Sequence, residues 1–211
     1  MSPSPVECRI AHTPEMLDRV YQLRYGCYSR GGAIDTRADR RFSDNFDHTP
    51  NHFSFLVQSG SQALATVRIS VVKPTLGWTD SPACRVFGDH PALVNASRES
   101  FVEASRLCFD RQARRDVFIG LLGNMAALAE FYQAEWLIAC PRLEHSPLYQ
   151  RLFGFRPLAE PRPYHGVKFE TVMLGVRLDE LRAHVEGASV MRKAWSAALT
   201  ALVEPLRART A

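Results

Sequence analysis

The stretch from residue 114 to residue 132 constrains the fold more than any other part of the sequence. Apolar residues recur there at every third or fourth position, namely Val117, Phe118, Leu121, Leu122, Met125, Leu128 and Ala129. This spacing is typical of an amphipathic helix that packs against a sheet. The β-rich runs before and after the helix would supply the strands of that sheet.

Six apolar runs predict strands around this helix. "FSFLVQ" and "ALATVRISVV", joined by the turn-forming "SGSQ", predict an antiparallel hairpin. The other predicted strands are "VECRI", "VEASRLCF", "WLIAC" and "KFETVMLGVRL". Thr13 and Pro14 predict the start of a first helix, while Ser146 as cap and Gly154 after the end delimit a short one. The predicted order is therefore β, α, loop, β, β, β, α, β, α, β and a C-terminal helix.

Length and composition indicate one soluble domain. With 211 residues the chain is long enough for a single core, and we assign residues 1–178 to the domain and 179–211 to a helical extension packed on it. The apolar residues of that extension are Met191, Trp195, Leu199, Leu202 and Leu206. No run approaches the roughly 20 apolar residues of a membrane span. The sequence "MSPSPVECRI" lacks a secretory signal pattern, so we expect a cytoplasmic protein.

Cysteine, histidine and charge content disfavour several classes of function. The five cysteines form no C-x-x-C pair, which argues against a disulfide framework and a zinc site, and we expect them to be reduced and mostly buried. His48 and His52 lie in a Pro-Asn loop rather than on a helix, so we expect no metal site. A net charge of only +4 does not indicate a nucleic-acid partner.

Charged residues stand inside or just before the apolar runs of the predicted sheet. Asp44 and Asp47 precede "FSFLVQ", Arg68 lies within "ALATVRISVV", and Glu103 and Arg106 lie within "VEASRLCF". One interpretation is that the two aspartates merely cap a turn before a strand. The other is that their loop folds back over the sheet and forms a buried network with arginines.

The order of elements and these motifs resemble known acyltransferases. The order resembles the GNAT acyltransferase fold, an α+β single domain in which helices flank a mixed sheet, here with an extra C-terminal helix. "SDNFD", "TVRIS" and "VEASRLCF", with Arg24 in "QLRY", resemble the signature of acyl-homoserine lactone (autoinducer) synthases. The segment "LAEPRPYHGVKFETVML" is similar to the related long-chain N-acyl amino acid synthases.

The resemblance implies transfer of a medium or long fatty acyl chain from acyl carrier protein to the α-amino group of an amino acid. The donor would be the acyl-phosphopantetheine of the carrier protein, with no bound cofactor. Catalytic residues would be Glu103, Arg106 and Ser105. Substrate-binding residues would be Arg24, Asp44, Asp47, Arg68, Phe87, Tyr164 and His165. Within this set, the aspartates would order the loop and bind the acceptor's ammonium, and Arg24 or Arg68 would hold its carboxylate.

Amide formation from a thioester needs a base that removes a proton from the amine. Glu103 is the candidate, because a glutamate in an apolar strand is desolvated and its pKa rises toward the working range. The alternative is a structural ion pair with Arg106 or Arg68. Strand alternation places Glu103 and Arg106 on opposite faces, so a direct pair requires a β-bulge, which GNAT-like strands have where the thioester docks.

The stretch before the long helix bears on the donor. Acetyltransferases that use CoA place a glycine-rich turn there, whose N–H groups bind pyrophosphate, whereas "RQARRDVFIG" has no glycine before Gly120. A carrier protein is therefore the favoured donor, with Arg114, Arg115, Arg151 and Arg156 as docking residues. The acyl chain would lie in an apolar tunnel between helix and sheet, lined by Phe87, Leu121, Leu122, Met125 and Phe153.

Two other functions stay open at this point. One is acyl-homoserine lactone synthesis from S-adenosylmethionine. The other is a catalytically silent GNAT-like module that binds an acyl group, or contacts a membrane peripherally through its basic C-terminal helix. A buried charge network is costly to desolvate and a silent module has no need of one, which favours the enzyme.

Overall fold

The structure, a computed structural model, describes residues 6–113 and 115–210. In this part of the chain seven strands form one sheet: β1 (Val6–Ile10), β2 (His52–Ser59), β3 (Gln62–Val72), β4 (Phe101–Phe109), β5 (Trp136–Ala139), β6 (Arg156–Pro163) and β7 (Glu170–Arg177). The described helices are α1 (Pro14–Arg30), α2 (Pro82–Phe87), α3 (Pro91–Glu99), α4 (Arg115–Phe131), α5 (Ser146–Phe153), α6 (Leu178–Glu186) and α7 (Ser189–Thr210).

The sheet is mixed, with strand order β1-β2-β3-β4-β5-β7-β6. The pair of β4 and β5 is parallel, and the other neighbouring strands are antiparallel. β5 pairs only with Phe101–Ala104 of β4, so the second half of β4 runs on beyond the end of β5. Residues 105–109 therefore have no β5 partner, and we call this unpaired stretch the gap between β4 and β5.

A β-bulge lies in the second half of β4, where the sequence analysis required one for a direct contact between Glu103 and Arg106. The pairing with β3 passes from Arg68 opposite Ser105 to Thr66 opposite Cys108, so β4 holds one extra residue there. Arg106 has a φ of 54°, in the left-handed region that non-glycine residues rarely adopt. The bulge changes the direction of the Arg106 side chain relative to regular alternation.

Helices cover both faces of the sheet. The larger core lies under α4 and contains Leu121, Leu122, Met125 and Phe153. Phe87 is also buried but belongs to a separate cluster with Val72, Phe101 and Ile138, on the opposite face under α2 and α3. The prediction that Phe87 lines a tunnel beside α4 is therefore wrong, because strand alternation separates the two clusters.

The predicted C-terminal helix is present as α7 and packs along α4. Its apolar residues Met191, Trp195, Leu202 and Leu206 are buried in the larger core. The two helices approach closely at Gly123, where an added Cβ would lie 2.9 Å from the Ala194 backbone. Among the described residues, no helix is both long enough and apolar enough to cross a membrane.

Several elements differ from the sequence-based prediction. Helices α2, α3 and α6 and strand β6 were not predicted. Helix α5 begins one residue earlier than expected, since His145 rather than Ser146 is its N-cap and Ser146 is its first residue. Gly154 follows its end as predicted, in a left-handed conformation. The cysteines are free, but only Cys108 is buried. The expectation that most of them are buried was wrong.

Candidate active site

Two rows of polar side chains cross the α1 and α2 face of the sheet. In the first row Ser54 of β2, Arg68 of β3 and Ser105 of β4 are direct neighbours. In the second row His52, Ser70 and Glu103 are neighbours on the same three strands. All six are buried. Buried polar groups are costly unless partnered, so these rows mark the functional face.

The loop between α1 and β2 folds back onto the first row. Asp47 is fully buried and accepts a hydrogen bond from Arg24 Nη1 at 2.7 Å, with Arg68 Nη1 at 3.2 Å. Asp44 accepts from Arg68 Nη1 and from Arg106 Nη2, the latter at 2.8 Å. The predicted network of two aspartates and three arginines is confirmed. Because Arg68 and Arg106 share Asp44, the bulge has brought Arg106 to the face of Arg68.

The aspartates also have the local role of the alternative interpretation. Asp44 is the N-cap of a 3₁₀ turn, Asn45–His48, and the Asp47 carboxylate accepts from the Asp44 N–H in a capping box. Burial alone would raise the pKa of Asp44, but the charges and hydrogen bonds of Arg68 and Arg106 hold it well below its usual range. The carboxylate is therefore ionised and orders the loop. Binding of the acceptor's ammonium stays a prediction.

Glu103 lies beside this network but is not part of it. Its side chain is fully buried and forms no ion pair with any residue in the described part of the chain. The carboxylate accepts hydrogen bonds from the Ala83 N–H at 2.9 Å and from Tyr164 Oη at 2.8 Å. Burial raises the pKa of Glu103, against these hydrogen bonds and the charge of Arg68. The alternative of a direct pair with Arg106 or Arg68 is thus excluded, although the required bulge exists.

The Ala83 N–H is a site group that sequence reasoning missed. It lies in the first turn of α2, where the N–H groups have no partner within the helix. Ser81 caps this helix and Pro82 follows at its first position. This is a recognised start signal for a helix, but the sequence analysis predicted no helix in this segment. The N-terminus of α2 also favours negative charge at Glu103.

A cavity of about 1090 Å³ opens next to Glu103 and the network. Asp44, Phe46, Tyr164 and His165 line it. Tyr164 therefore lies between the cavity and Glu103, and burial raises the pKa of its phenol, with the charge of Glu103 acting in the same direction. His165 is exposed, and its carbonyl oxygen accepts from Arg106 Nη2 at 3.0 Å, which ties this segment to the network.

Two of the predicted arginines also donate hydrogen bonds to serines of the first row. Ser105 accepts a hydrogen bond from Arg68 Nε at 3.2 Å, and Arg24 donates to Ser54. Arg24 and Arg68 are fully buried and paired with the aspartates, and neither is among the residues that line the cavity.

Of the predicted docking arginines, Arg151 and Arg156 do not line the cavity. Arg114 is outside the described residues, and of Arg115 only the backbone is described. Arg151 is exposed, and Arg156 is exposed and paired with Glu180 at 2.7 Å. Their docking role stays a prediction. No cluster of three or more potential metal ligands occurs within 6–113 and 115–210.

Solved structures share this fold. The structure of FeeM, an N-acyl amino acid synthase from uncultured soil microbes, superposes with a TM-score of 0.72 at 16% identity, covering 87% of this chain and 96% of that one. The acyl-homoserine lactone synthase LasI gives 0.64 at 13% identity, with the same coverage of 87% and 96%. A putative N-acetyltransferase from Lactobacillus plantarum gives 0.57 at 15% identity, covering 83% and 99%. The predicted GNAT-like acyltransferase fold is confirmed.

Sequence comparison identifies the family. No curated protein is similar enough in sequence to match the chain. The family model described as "N-acyl amino acid synthase FeeM" matches residues 19–177, a range that contains the aspartate and arginine network, Glu103 and Tyr164. Since this match spans well over half of the chain, the protein belongs to the FeeM family of N-acyl amino acid synthases and is an amide-forming acyltransferase.

Proposed function

We propose that the protein transfers a medium or long fatty acyl chain from the thioester of an acyl carrier protein to the α-amino group of a free amino acid. The observation that carries this proposal is Glu103, a buried carboxylate with a raised pKa, no ion pair and a hydrogen bond to a tyrosine that lines a cavity. A structural role needs no such group, whereas amide formation needs a base.

The reaction has a defined proton balance. The amino acid arrives as an ammonium and must lose one proton before its nitrogen can attack the thioester carbonyl. The new C–N bond forms as the C–S bond breaks, and the second proton of the nitrogen goes to the departing thiolate. One proton is released overall, and Glu103 accepts it.

Tyr164 connects the acceptor amine to Glu103. Because Glu103 itself has no exposed surface, the tyrosine hydroxyl is the group that meets the amine from the cavity side. Its oxygen accepts a proton from nitrogen while its own proton moves over the 2.8 Å hydrogen bond to Glu103. The raised pKa of Tyr164 keeps the phenol protonated and able to donate.

The gap between β4 and β5 suits the acyl donor. Residues 105–109 have no β5 partner, and an extended arm with amide groups can pair with such a free strand edge. The bulge at Arg106 leaves backbone groups of β4 outside the regular ladder, where an N–H can stabilise the oxyanion of the tetrahedral intermediate. The free edge begins two residues after Glu103, and the bulge residue Arg106 is three residues after it.

The chain favours a carrier protein over CoA as donor. A CoA donor occurs in this fold, since the acyl-homoserine lactone synthase BjaI, with a TM-score of 0.56 at 20% identity over 86% of this chain and 89% of that one, is described as CoA-dependent. The distinguishing observation is the stretch before α4, which lacks the glycines of a pyrophosphate-binding turn. The phosphopantetheine arm of a carrier protein carries no pyrophosphate.

The test compares purified wild-type protein with Glu103→Gln and with Glu135→Gln, a matched control at an exposed glutamate. Each is incubated with acyl carrier protein or CoA carrying the same acyl chain and with each proteinogenic amino acid, and products are measured by mass spectrometry. We expect N-acyl amino acid from wild type and Glu135→Gln, with the carrier protein as the better donor. Glu103→Gln should be slower by about 100- to 10,000-fold.

Other outcomes would select other functions. Acyl-homoserine lactone formed from added S-adenosylmethionine, without acylated amino acid, would identify a homoserine lactone synthase. No product from folded wild-type protein would favour the acyl-binding module. Equal rates for wild type and Glu103→Gln would remove Glu103 from the mechanism.

A further inference from the structure

The cavity beside Tyr164 contains an arginine whose charge is not neutralised. Three arginines line this cavity, namely Arg37, Arg85 and Arg162. Arg85 is paired with Asp80 and Arg162 with Asp89, each at 2.5 Å. Arg37 is exposed and forms no ion pair with any residue that the structure describes.

We infer that Arg37 binds the carboxylate of the acceptor and thereby makes the enzyme specific for amino acids over simple amines. This inference rests on the proposed function, because it assigns one end of the proposed acceptor. It replaces the expectation that Arg24 or Arg68 binds this carboxylate. Those two arginines have no exposed surface and are already neutralised by Asp44 and Asp47.

A fixed aromatic ring supports the Arg37 guanidinium. The guanidinium carbon lies 5.1 Å from the centroid of the Phe42 ring, and Phe42 is only 2% exposed. The ring is held by Tyr28, at 5.1 Å between centroids, and by Arg106, whose guanidinium carbon lies 4.5 Å from it. Arg37 Nη1 donates to the Arg41 carbonyl at 3.4 Å, which leaves the Nε and Nη2 edge of the stacked guanidinium for a bidentate carboxylate.

Phe42 also links Arg37 to the segment that carries Tyr164. A Cβ added to Gly166 would lie 3.2 Å from Arg106 Nη2 and 4.0 Å from the Phe42 ring, so Gly166 packs against both. An α-amino acid carries its amine and carboxylate on the same carbon, so the two groups must be bound side by side. Tyr164 and Arg37 line one cavity, and Phe42 packs against Arg37 and against Gly166, two residues after Tyr164, so both binding groups belong to the same wall of that cavity.

The experiment compares three acceptors that share one side chain. These are the L-amino acid that is acylated fastest in the Glu103 assay, its α-carboxamide, and the amine left after removal of the carboxyl group. Wild type, Arg37→Ala, Arg37→Lys and the control Arg98→Ala, at an exposed arginine outside the cavity, are assayed for kcat/KM with each acceptor. We expect wild type and Arg98→Ala to prefer the amino acid by about 10- to 100-fold, the range of a charge-assisted hydrogen bond.

In Arg37→Ala this preference should fall to nearly one, through a higher KM for the amino acid and with little change for the carboxamide. Arg37→Lys should keep part of the preference, because it retains the charge without the planar fork. The same preference in wild type and Arg37→Ala would overturn the inference and leave the proposed function intact. Acylation of the amine alone by the wild type would overturn both.

Discussion

Two groups of buried charges lie side by side on one face of the sheet, and they differ in whether their carboxylates are paired with arginines. The network of Arg24, Arg68, Arg106, Asp44 and Asp47 pairs every carboxylate with at least two cationic groups. Glu103, on the same strand as Arg106, has only neutral hydrogen-bond donors. Pairing lowers the pKa of the aspartates, whereas burial raises the pKa of Glu103.

This difference in pairing suits the two aspartates to a structural role and Glu103 to proton transfer. A carboxylate fixed in the ionised form cannot exchange protons near neutral pH, so Asp44 and Asp47 are suited to ordering the loop. Burial instead raises the pKa of Glu103, which makes this carboxylate a stronger base than a solvated one. The bulge maintains this division, because it directs Arg106 to Asp44 and leaves Glu103 without a cation.

The largest expected effect is on stability, from breaking the paired group. Asp47→Asn should lower the free energy of unfolding by about 3–5 kcal/mol, because it leaves Arg24 and Arg68 buried with one carboxylate between them. The control Asp80→Asn removes the exposed partner of Arg85 and should cost at most about 1 kcal/mol. Urea unfolding of both variants measures the difference, and equal losses would contradict the contrast between buried and exposed pairs.

A smaller effect is expected on catalysis when Glu103 loses its contact with the cavity. Tyr164→Phe should lower kcat by about 10- to 150-fold, equivalent to about 1.5–3 kcal/mol for a hydrogen bond to a charged group, and leave the KM of the amino acid nearly unchanged. Tyr149→Phe removes a buried hydroxyl on the other face and serves as control. A wild-type kcat in Tyr164→Phe would show that Glu103 is reached by another route.

The smallest effect is a pH dependence of stability that has opposite signs for the two groups. Asp44, with a lowered pKa, stabilises the fold above its ordinary pKa of 3.8, and this contribution is lost as the pH falls. Glu103, with a raised pKa, binds its proton more tightly in the folded state, so it destabilises the fold as the pH rises above 4.5. Each unit of difference in pKa corresponds to about 1.4 kcal/mol.

Urea unfolding of wild type, Asp44→Asn and Glu103→Gln between pH 3 and pH 8 would measure these signs. The stability advantage of wild type over Asp44→Asn should shrink toward acid pH. The stability of wild type relative to Glu103→Gln should instead decrease as the pH rises above 4.5. Slopes of the same sign for both variants would refute the distinction between a paired and an isolated carboxylate.

Periodicity predicted the long elements of the fold but not the short or proline-containing ones. The stripe of α4 and the alternation in β2, β3 and β4 extend over enough residues to identify each element. Strand β6 contains Pro157, Pro161 and Pro163, which argue against a strand unless it lies at the edge of the sheet, as β6 does. Without α2, nothing in the sequence indicated that Phe87 lies on the face opposite α4.

For the site, the sequence indicated which charges would be buried but not all of their partners. Asp44, Asp47 and the arginines carry a motif whose spacing is visible, and the bulge was implied by the resemblance to GNAT-like strands. The donor to Glu103 at Ala83 is a backbone N–H, which no side-chain pattern identifies. Arg37 was missed because its proposed role follows from the absence of an acidic partner among the described residues. Only the folded structure shows which arginines have such a partner.

The packing of α7 on α4 has a consequence for the order of events during synthesis. Helix α4 is buried between the sheet and α7, and these two helices are more than fifty residues apart in the chain. On the ribosome, which adds about 5–20 residues per second, the strands of the active site emerge while the outer side of α4 still lacks its cover. The nascent enzyme therefore exposes an apolar helix for several seconds, a period in which chaperones can bind it before the last helix closes the fold.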